Sequence, residues 1–325
     1  MSSLFESLPF AIVLLLIGFV FLIKGADLFV DGSSNIAKKL CVPSVIIGLT
    51  IVAMGTSLPE TAVSVTASLV NNNTLAISNA VGSNIFNMMV VIGFCGVITP
   101  VAVQEETLKR DFPFSVICAL LLLGMGYHGM VLDQMEGVIL VVLFIGFILT
   151  MIRAALKARK TEQSQEDETE KQAEKTLPVW KCLLFVVIGV VGIALGGDWV
   201  VEGASTVATA FGLSQTLIGL TIVSIGTSLP ELVTSVVAAR KKEVDLAVGN
   251  AIGSNIFNIL MVLGIASTIS PIDFIMNNVI DIVILVVFSI IVWMMAKSRK
   301  KMERREGLIM LLLYAGYMVY IIVRP

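Results

Sequence analysis

Residues 48–60 read GLTIVAMGTSLPE, and residues 219–231 read GLTIVSIGTSLPE. The same offset of 171 residues aligns GSNIFN at 82–87 with GSNIFN at 253–258. Between 48–94 and 219–265, 26 of the 47 positions are identical without a gap. Chance does not produce such agreement, so the chain is built from two copies of one ancestral segment.

The composition around these copies is that of a membrane protein. Of 325 residues, 57% are hydrophobic and 14% are charged, whereas soluble domains carry about 25% charged residues. The net charge of −2 gives no general attraction to nucleic acid. Four scattered cysteines and a single histidine form no metal-binding or nucleophile pattern. These features exclude a soluble enzyme and predict a polytopic membrane protein.

Apolar runs long enough to cross a bilayer, about 20 residues each, number ten in this sequence. We therefore predict an all-α protein with ten transmembrane helices. The predicted spans are 9–30, 43–70, 75–98, 113–131, 134–152, 180–200, 213–239, 245–269, 278–296 and 306–323.

The basic residues predict the orientation of these spans, because lysine and arginine are retained on the cytoplasmic side. Of the 22 lysines and arginines, 19 fall in alternate loops, and Lys181 lies at the edge of one of these loops. Both termini are then expected outside a cell membrane, and the charged segment that contains residues 153–179 is expected in the cytosol. That segment is too polar to bury a core.

Each copy lies in a half with five spans, an odd number, so the second half must cross the membrane in the opposite sense. We predict an N-terminal repeat at 1–152, a cytosolic linker at 153–179 and a C-terminal repeat at 180–325. The flanking charges agree, since NNNT follows the first GTSLPE helix and Arg240-Lys241-Lys242 follows the second. Inverted repeats of this kind place a substrate site near mid-membrane on discontinuous helices.

Glu60 and Glu231 are the most informative residues, because each lies deep within an apolar span that contains no lysine or arginine. An ionised carboxylate at that depth costs about 2.5–3.5 kcal/mol or more. A bound cation would compensate this cost. The alternative is a pair of protonated glutamates that pack two helices together.

The residues around each glutamate suit a hard cation. Pro59 and Pro230 remove a backbone donor and free the carbonyl four residues earlier. The preceding Gly-Thr-Ser adds hydroxyl oxygens in both copies. Calcium prefers six to eight oxygen ligands, and the absence of cysteine or histidine here argues against zinc, copper or iron.

A second polar stripe follows each glutamate. Ser83 and Asn87, like Ser254 and Asn258, are four residues apart and share a helix face. The two asparagines are predicted ligands. For the two serines, ligation and close helix packing remain open alternatives. The other charges within or beside the first and sixth spans, Lys24, Asp27, Asp31, Asp198 and Glu202, are expected to be structural or to line an entrance.

The paired GTSLPE and GSNIFN segments resemble the α-repeats of the cation/calcium antiporter superfamily, specifically its sodium/calcium exchanger branch of prokaryotic type. The resemblance covers nearly the whole chain. It implies that broken second, third, seventh and eighth helices form the ion sites. It also implies a set of metal ligands, with alanine and serine at the first position of each half contributing backbone carbonyls: Ala53, Thr56, Ser57, Glu60, Ser83 and Asn87, and Ser224, Thr227, Ser228, Glu231, Ser254 and Asn258.

Two departures from the family pattern matter. Some members carry aspartate where this chain has Asn258, and an amide there weakens the case for potassium co-transport. The linker is too short for the calcium-binding regulatory domains of the animal exchangers. The proton-coupled branch resembles this architecture but usually has Gly-Asn-Ala before its acid.

The expected function is Na⁺/Ca²⁺ antiport by alternating access, with Ca²⁺ exported at the expense of the Na⁺ gradient and net charge moved. The alternatives are a Ca²⁺/H⁺ antiporter, or another divalent cation/H⁺ antiporter, and, in a different class, a passive cation channel. An enzyme is not expected. Nor is any cofactor expected, since Ca²⁺ and Na⁺ are substrates, and the bilayer is the only other partner indicated.

Overall fold

The fold is almost entirely helical. The computed structural model describes residues 8–70, 73–165, 177–212 and 224–324, without the side chains of 161–165 and Ser224. The helices are α1 (Leu8–Leu40), α2 (Ser44–Thr56), α3 (Leu58–Leu69), α4 (Asn73–Ile98), α5 (Phe112–Tyr127), α6 (Gln134–Gln165), α7 (Val179–Ala210), α8 (Ser224–Gly226), α9 (Leu229–Arg240), α10 (Val244–Ile269), α11 (Met276–Arg299) and α12 (Arg304–Val323). Wider π-helical turns occur at Gly48–Val52, Asn87–Val91, Thr107–Asp111 and Asn258–Leu263.

The apolar helices make this an all-helical polytopic membrane protein. Within the described ranges, seven helices are long and apolar enough to cross a bilayer, and α2 with α3 forms an eighth, broken crossing bent by 50°. Helix α5, of 16 residues, follows directly on the π-helical turn Thr107–Asp111 and is not among these seven. The predicted span 213–239 begins in 213–223, outside the described residues. The count of ten spans therefore stays a prediction.

Both copies contain the helix break that the proline predicts. In the first, Ser57 has φ −87° and ψ 14°, and α3 starts afresh with Pro59 in its first turn. In the second, Ser228 has φ −92° and ψ 3°, and Pro230 occupies the same place in α9. Each glutamate consequently lies in the first turn of a new helix, where the exposed backbone N–H groups favour negative charge.

The helices that carry GSNIFN, α4 and α10, form the centre of the molecule. In their most apolar stretch 78% of the residues are buried, against 22% in α1 and α7. Glycine permits the close packing of α10 against α2, as at Gly253, where a Cβ would lie 2.7 Å from the Leu49 Cα and 2.8 Å from the Ala53 Cβ. Gly253 thus lets α10 pack directly against α2 beside the predicted ligands.

Two short antiparallel strand pairs connect the predicted halves. Strand β1 (Val101–Ala102) pairs with β4 (Lys301–Met302), and β2 (Val131–Leu132) pairs with β3 (Ile272–Asp273). The offset of 171 residues that relates the sequence copies also relates β1 to β3, and β2 corresponds to β4 with a shift of one residue. The internal repeat is therefore also visible in the backbone outside the GTSLPE and GSNIFN segments.

Several helices continue past the predicted ends of their spans, because polar turns extend them. Helix α1 continues to Leu40 and includes Lys38 and Lys39, which were expected in a loop. Its polar end is held by contacts that sequence spacing does not reveal: Lys241 pairs with Asp31 at 2.7 Å and with Asp27 at 3.3 Å. Similarly, α7 continues to Ala210.

The predicted linker at 153–179 begins within a helix. Helix α6 extends past the predicted end of its span at 152 and finishes at Gln165. Residues 166–176, the centre of the predicted linker, lie outside the described residues. The division into two repeats and a linker stays a prediction.

Candidate metal-ion site

The two glutamates lie in one buried cluster. The side chains of Glu60 on α3 and Glu231 on α9 are both fully buried. Ser57 Oγ donates a hydrogen bond to Glu231 Oε1 at 2.7 Å, and Ser228 Oγ donates to Glu60 Oε1 at 3.3 Å. Each carboxylate is thus bonded by the serine of the other sequence copy, so the break in one copy positions the acid of the other.

Ser83 and Ser254 belong to the same cluster. Ser228 Oγ lies 2.9 Å from Ser83 Oγ, and Ser254 Oγ lies 3.4 Å from Glu231 Oε1. Both serines are buried. The geometry places their hydroxyls beside the carboxylates rather than only at a helix-packing surface.

Asn87 and Asn258 begin the π-helical turns of α4 and α10 and are fully buried. Such turns are rare and often occur at functional sites. Asn258 Nδ2 donates to Asn84 Oδ1 at 3.1 Å. Asn84 and Asn255 exchange side-chain to backbone hydrogen bonds of 3.1 and 3.2 Å, which join α4 to α10.

The predicted carbonyl ligands, at Ala53 and Ser224, lie just before the helix breaks at Ser57 and Ser228. The Ala53 carbonyl accepts from the Ser57 N–H at 3.0 Å and lies 3.3 Å from Thr56 Oγ1. In the second copy the Ser228 N–H donates to the Ile225 carbonyl at 3.1 Å. The side chain of Ser224 lies outside the described part, although the prediction concerns its carbonyl. Thr227 is half-buried beside the cluster.

Four buried oxygens of the predicted ligands have no hydrogen-bond partner among the described residues: Glu60 Oε2, Glu231 Oε2, Asn87 Oδ1 and Asn258 Oδ1. Nor does either glutamate pair with a lysine or arginine in the described chain. Burying such groups unpaired is costly. Carboxylate, amide and hydroxyl oxygens are the ligands that hard cations prefer, and two carboxylates carry the charge that balances one divalent ion.

Two cavities reach the edge of the cluster at Thr227. One, of about 460 Å³, is lined by Asp198 and Glu202 of α7 and by both prolines of the GTSLPE motifs. The other, of about 260 Å³, is lined by Asn79 and by the ion pair of Asp281 with Arg324. Asp198 and Glu202 therefore line a cavity beside the cluster, whereas Asp27 and Asp31 pair with Lys241.

Sequence reasoning missed four asparagines that organise the cluster: Asn79, Asn84, Asn250 and Asn255. Two signals could have found them. All four are identical between the copies at the 171-residue offset. Asn79 and Asn250 also extend the predicted polar stripes by one turn, four residues before Ser83 and Ser254.

Comparison with known proteins gives consistent results. The family model described as sodium/calcium exchanger protein matches residues 10–153 and 181–323. The chain is 40% identical over 317 residues to the putative antiporter CaxA of Alkalimonas amylolytica, covering 94% of this chain and 97% of the relative. It is 30% identical over 339 residues to the sodium/calcium exchanger MaX1 of Methanosarcina acetivorans, covering 94% and 97%.

Solved structures of the sodium-calcium exchanger NCX_Mj share the fold. The crystal form soaked with Na⁺ and Sr²⁺ matches with a TM-score of 0.82 at 31% identity, covering 95% of this chain and 97% of that one. The form soaked with zero Na⁺ and Ca²⁺ matches with a TM-score of 0.80 at 30% identity, covering 96% and 98%.

Fold, site and relatives together define a polytopic membrane transporter, not an enzyme. Within that class, the chain belongs to the sodium/calcium exchanger family.

Proposed function

We propose that this protein is a Na⁺/Ca²⁺ antiporter that works by alternating access and exports Ca²⁺ at the expense of the Na⁺ gradient. The observation that carries the proposal is the pair of buried carboxylates, Glu60 and Glu231, each with one oxygen unpartnered among the described residues and each bonded by a serine of the other copy. The names of MaX1 and NCX_Mj as sodium/calcium exchangers support this choice of ions.

The twelve residues predicted from sequence are the proposed ligands, and no cofactor is needed. One Ca²⁺ neutralises both carboxylates, whereas Na⁺ ions would share the same oxygens. Because the two kinds of ion then compete for one set of ligands, their occupancy is mutually exclusive and exchange follows. Without an ion, two negative charges would remain in a medium of low dielectric constant, which disfavours the return of the empty carrier.

Alternating access requires two halves of opposite orientation around this site. The proposal places the repeats at 1–152 and 180–325, inverted in a cell membrane, with both termini outside and the linker in the cytosol. Two observations support it: the hydrogen bonds from Ser57 and Ser228 cross between copies, and each strand pair joins a strand of the first predicted repeat to a strand of the second.

The test is Ca²⁺ uptake into proteoliposomes that contain the purified protein. We expect uptake when the vesicles are loaded with Na⁺ and diluted into Na⁺-free buffer, and its loss when Na⁺ is present on both sides. Uptake driven by a pH gradient without Na⁺ would instead indicate Ca²⁺/H⁺ exchange. Ca²⁺ flux that needs no counter-ion would indicate a channel and contradict the proposal.

The exchange is expected to move net charge. Transferring one charge against 100 mV costs about 2.3 kcal/mol, so expelling Ca²⁺ against an inside-negative potential costs twice that. Two entering Na⁺ ions would only cancel this cost, whereas a third lets the potential drive export. We therefore predict three Na⁺ for one Ca²⁺, with a valinomycin-imposed K⁺ potential changing the rate of Ca²⁺ uptake. A rate that is independent of the imposed potential would reject this stoichiometry.

A further inference from the structure

Asn79 and Asn250 occupy equivalent places beside the proposed ion site. They lie on α4 and α10, one turn before Ser83 and Ser254. Asn250 is fully buried and Asn79 is half-buried. Neither belongs to the proposed ligand set.

In the second copy, Asn250 connects three groups. Its Nδ2 donates to the Glu231 carbonyl at 3.3 Å and to Ser235 Oγ at 2.9 Å, both on α9. Its Oδ1 accepts a hydrogen bond from Thr56 Oγ1 at 3.0 Å. Asn250 thus joins the glutamate helix of its own copy to the broken helix of the other.

Asn79 makes the same connections in the first copy. Its Nδ2 donates to the Glu60 carbonyl at 3.3 Å and to Ser64 Oγ at 3.1 Å. Its Oδ1 accepts from Thr227 Oγ1 at 3.3 Å. Each bond has its counterpart 171 residues along the chain, so the arrangement occurs twice independently in the molecule.

The acceptor role of Asn250 decides where the Thr56 hydroxyl hydrogen points. That hydroxyl has a single hydrogen, and three acceptors lie within 3.3 Å of its oxygen: Asn250 Oδ1 at 3.0 Å, the Val52 carbonyl at 3.1 Å and the Ala53 carbonyl at 3.3 Å. When Asn250 accepts it, the Ala53 carbonyl keeps a lone pair free. Without Asn250, the hydrogen would turn to a backbone carbonyl and compete with a cation for it.

From this geometry we propose that Asn79 and Asn250 are positioning residues, which orient the threonine hydroxyl of the opposite copy so that its oxygen and the neighbouring carbonyl face the ion. The inference rests on the proposed function, and it adds to the proposed site two residues that do not themselves contact the ion. Losing such a hydrogen bond is expected to raise the KM for Ca²⁺ about tenfold, the upper range for one buried bond, with a smaller change in kcat.

Double-mutant cycles test the crossed pairing. The crossed pairs join hydrogen-bonded residues of opposite copies: Thr56→Val with Asn250→Ala, and Thr227→Val with Asn79→Ala. The uncrossed pairs join residues of the same copy: Thr56→Val with Asn79→Ala, and Thr227→Val with Asn250→Ala. We expect the crossed double variants to have a KM for Ca²⁺ within about twofold of the worse single variant. In the uncrossed double variants, the increase in the KM for Ca²⁺ should be the product of the increases caused by the two single changes.

Asn73→Ala is the matched control, because Asn73 also lies on α4 and bonds Ser270 and Pro271 away from the site. Its KM for Ca²⁺ should equal that of the unmodified protein. If Asn250→Ala does not give a monodisperse protein, the Asn79 cycle decides, since Asn79 is only half-buried. If the increases in the KM for Ca²⁺ caused by the two single changes multiply in the crossed double variants as well, the inference is overturned. Absence of Na⁺-dependent uptake by the unmodified protein would overturn the proposed function instead.

Discussion

Glu60→Gln and Glu231→Gln are each expected to abolish Na⁺-dependent Ca²⁺ uptake, with a fall of at least about 100-fold, equivalent to about 3 kcal/mol. Each change replaces one of the two buried carboxylates by a neutral amide of the same size. A single remaining carboxylate no longer balances a divalent ion in a low-dielectric centre. Initial uptake rates in proteoliposomes, measured over a range of Ca²⁺ concentrations, check the prediction.

The fold should survive both changes, because glutamine keeps an oxygen that can accept from Ser57 or Ser228. Size-exclusion profiles and melting temperatures should therefore stay close to those of the unmodified protein. Glu136→Gln is the matched control: Glu136 lies at the start of α6, where its Oε2 accepts from the Asp133 N–H at 3.0 Å. Its transport should be unchanged. Full activity in both buried variants would remove the assignment of the site.

Gly253→Val is expected to give the second-largest loss, about tenfold or more in transport, together with a lower melting temperature. A Cβ at this position would lie 2.7 Å from the Leu49 backbone and 2.8 Å from the Ala53 Cβ. Helix α10 would have to move away from α2, and such overpacking costs about 1–3 kcal/mol. Ser254, the next residue, would move away from Glu231 with it.

The control for this prediction is Gly146→Val on α6, where no heavy atom lies within 4 Å of an added Cβ. Both variants place the same side chain on a membrane helix, so a difference between them reports the contact with α2. Uptake kinetics and melting temperature are measured for both. If Gly253→Val transports Ca²⁺ with unchanged KM and rate, the close approach of α10 to α2 is not needed for the site.

The helix breaks of this site could be predicted from the sequence, because the same proline-containing motif occurs in both copies. Pro59 and Pro230 predict the helix breaks, since proline acts on its own turn of backbone, and both breaks are present. Asn87 and Asn258 follow from four-residue spacing on a helix. Four of the predicted ligands, Ser57, Ser83, Ser228 and Ser254, lie within hydrogen-bonding distance of a glutamate or of one another.

What the sequence could not predict are contacts between the copies. Repeat alignment tells which residues are equivalent, but not which serine of one copy faces which acid of the other; the Ser57–Glu231 bond needs the packed helices. The same holds for Lys241, which binds Asp27 and Asp31 from far along the chain. The ends of helices α1 and α7 could not be predicted, because hydropathy detects the apolar stretch and not the polar turns that continue it.

The most direct test of the account is to locate a divalent ion in the protein. Crystals grown in Sr²⁺, which scatters anomalously, would show its position without reference to transport. We predict a peak between the carboxylates of Glu60 and Glu231, bounded by the amide oxygens of Asn87 and Asn258. A Sr²⁺ peak elsewhere in the membrane region, with both glutamates bonded only to protein groups, would contradict the account.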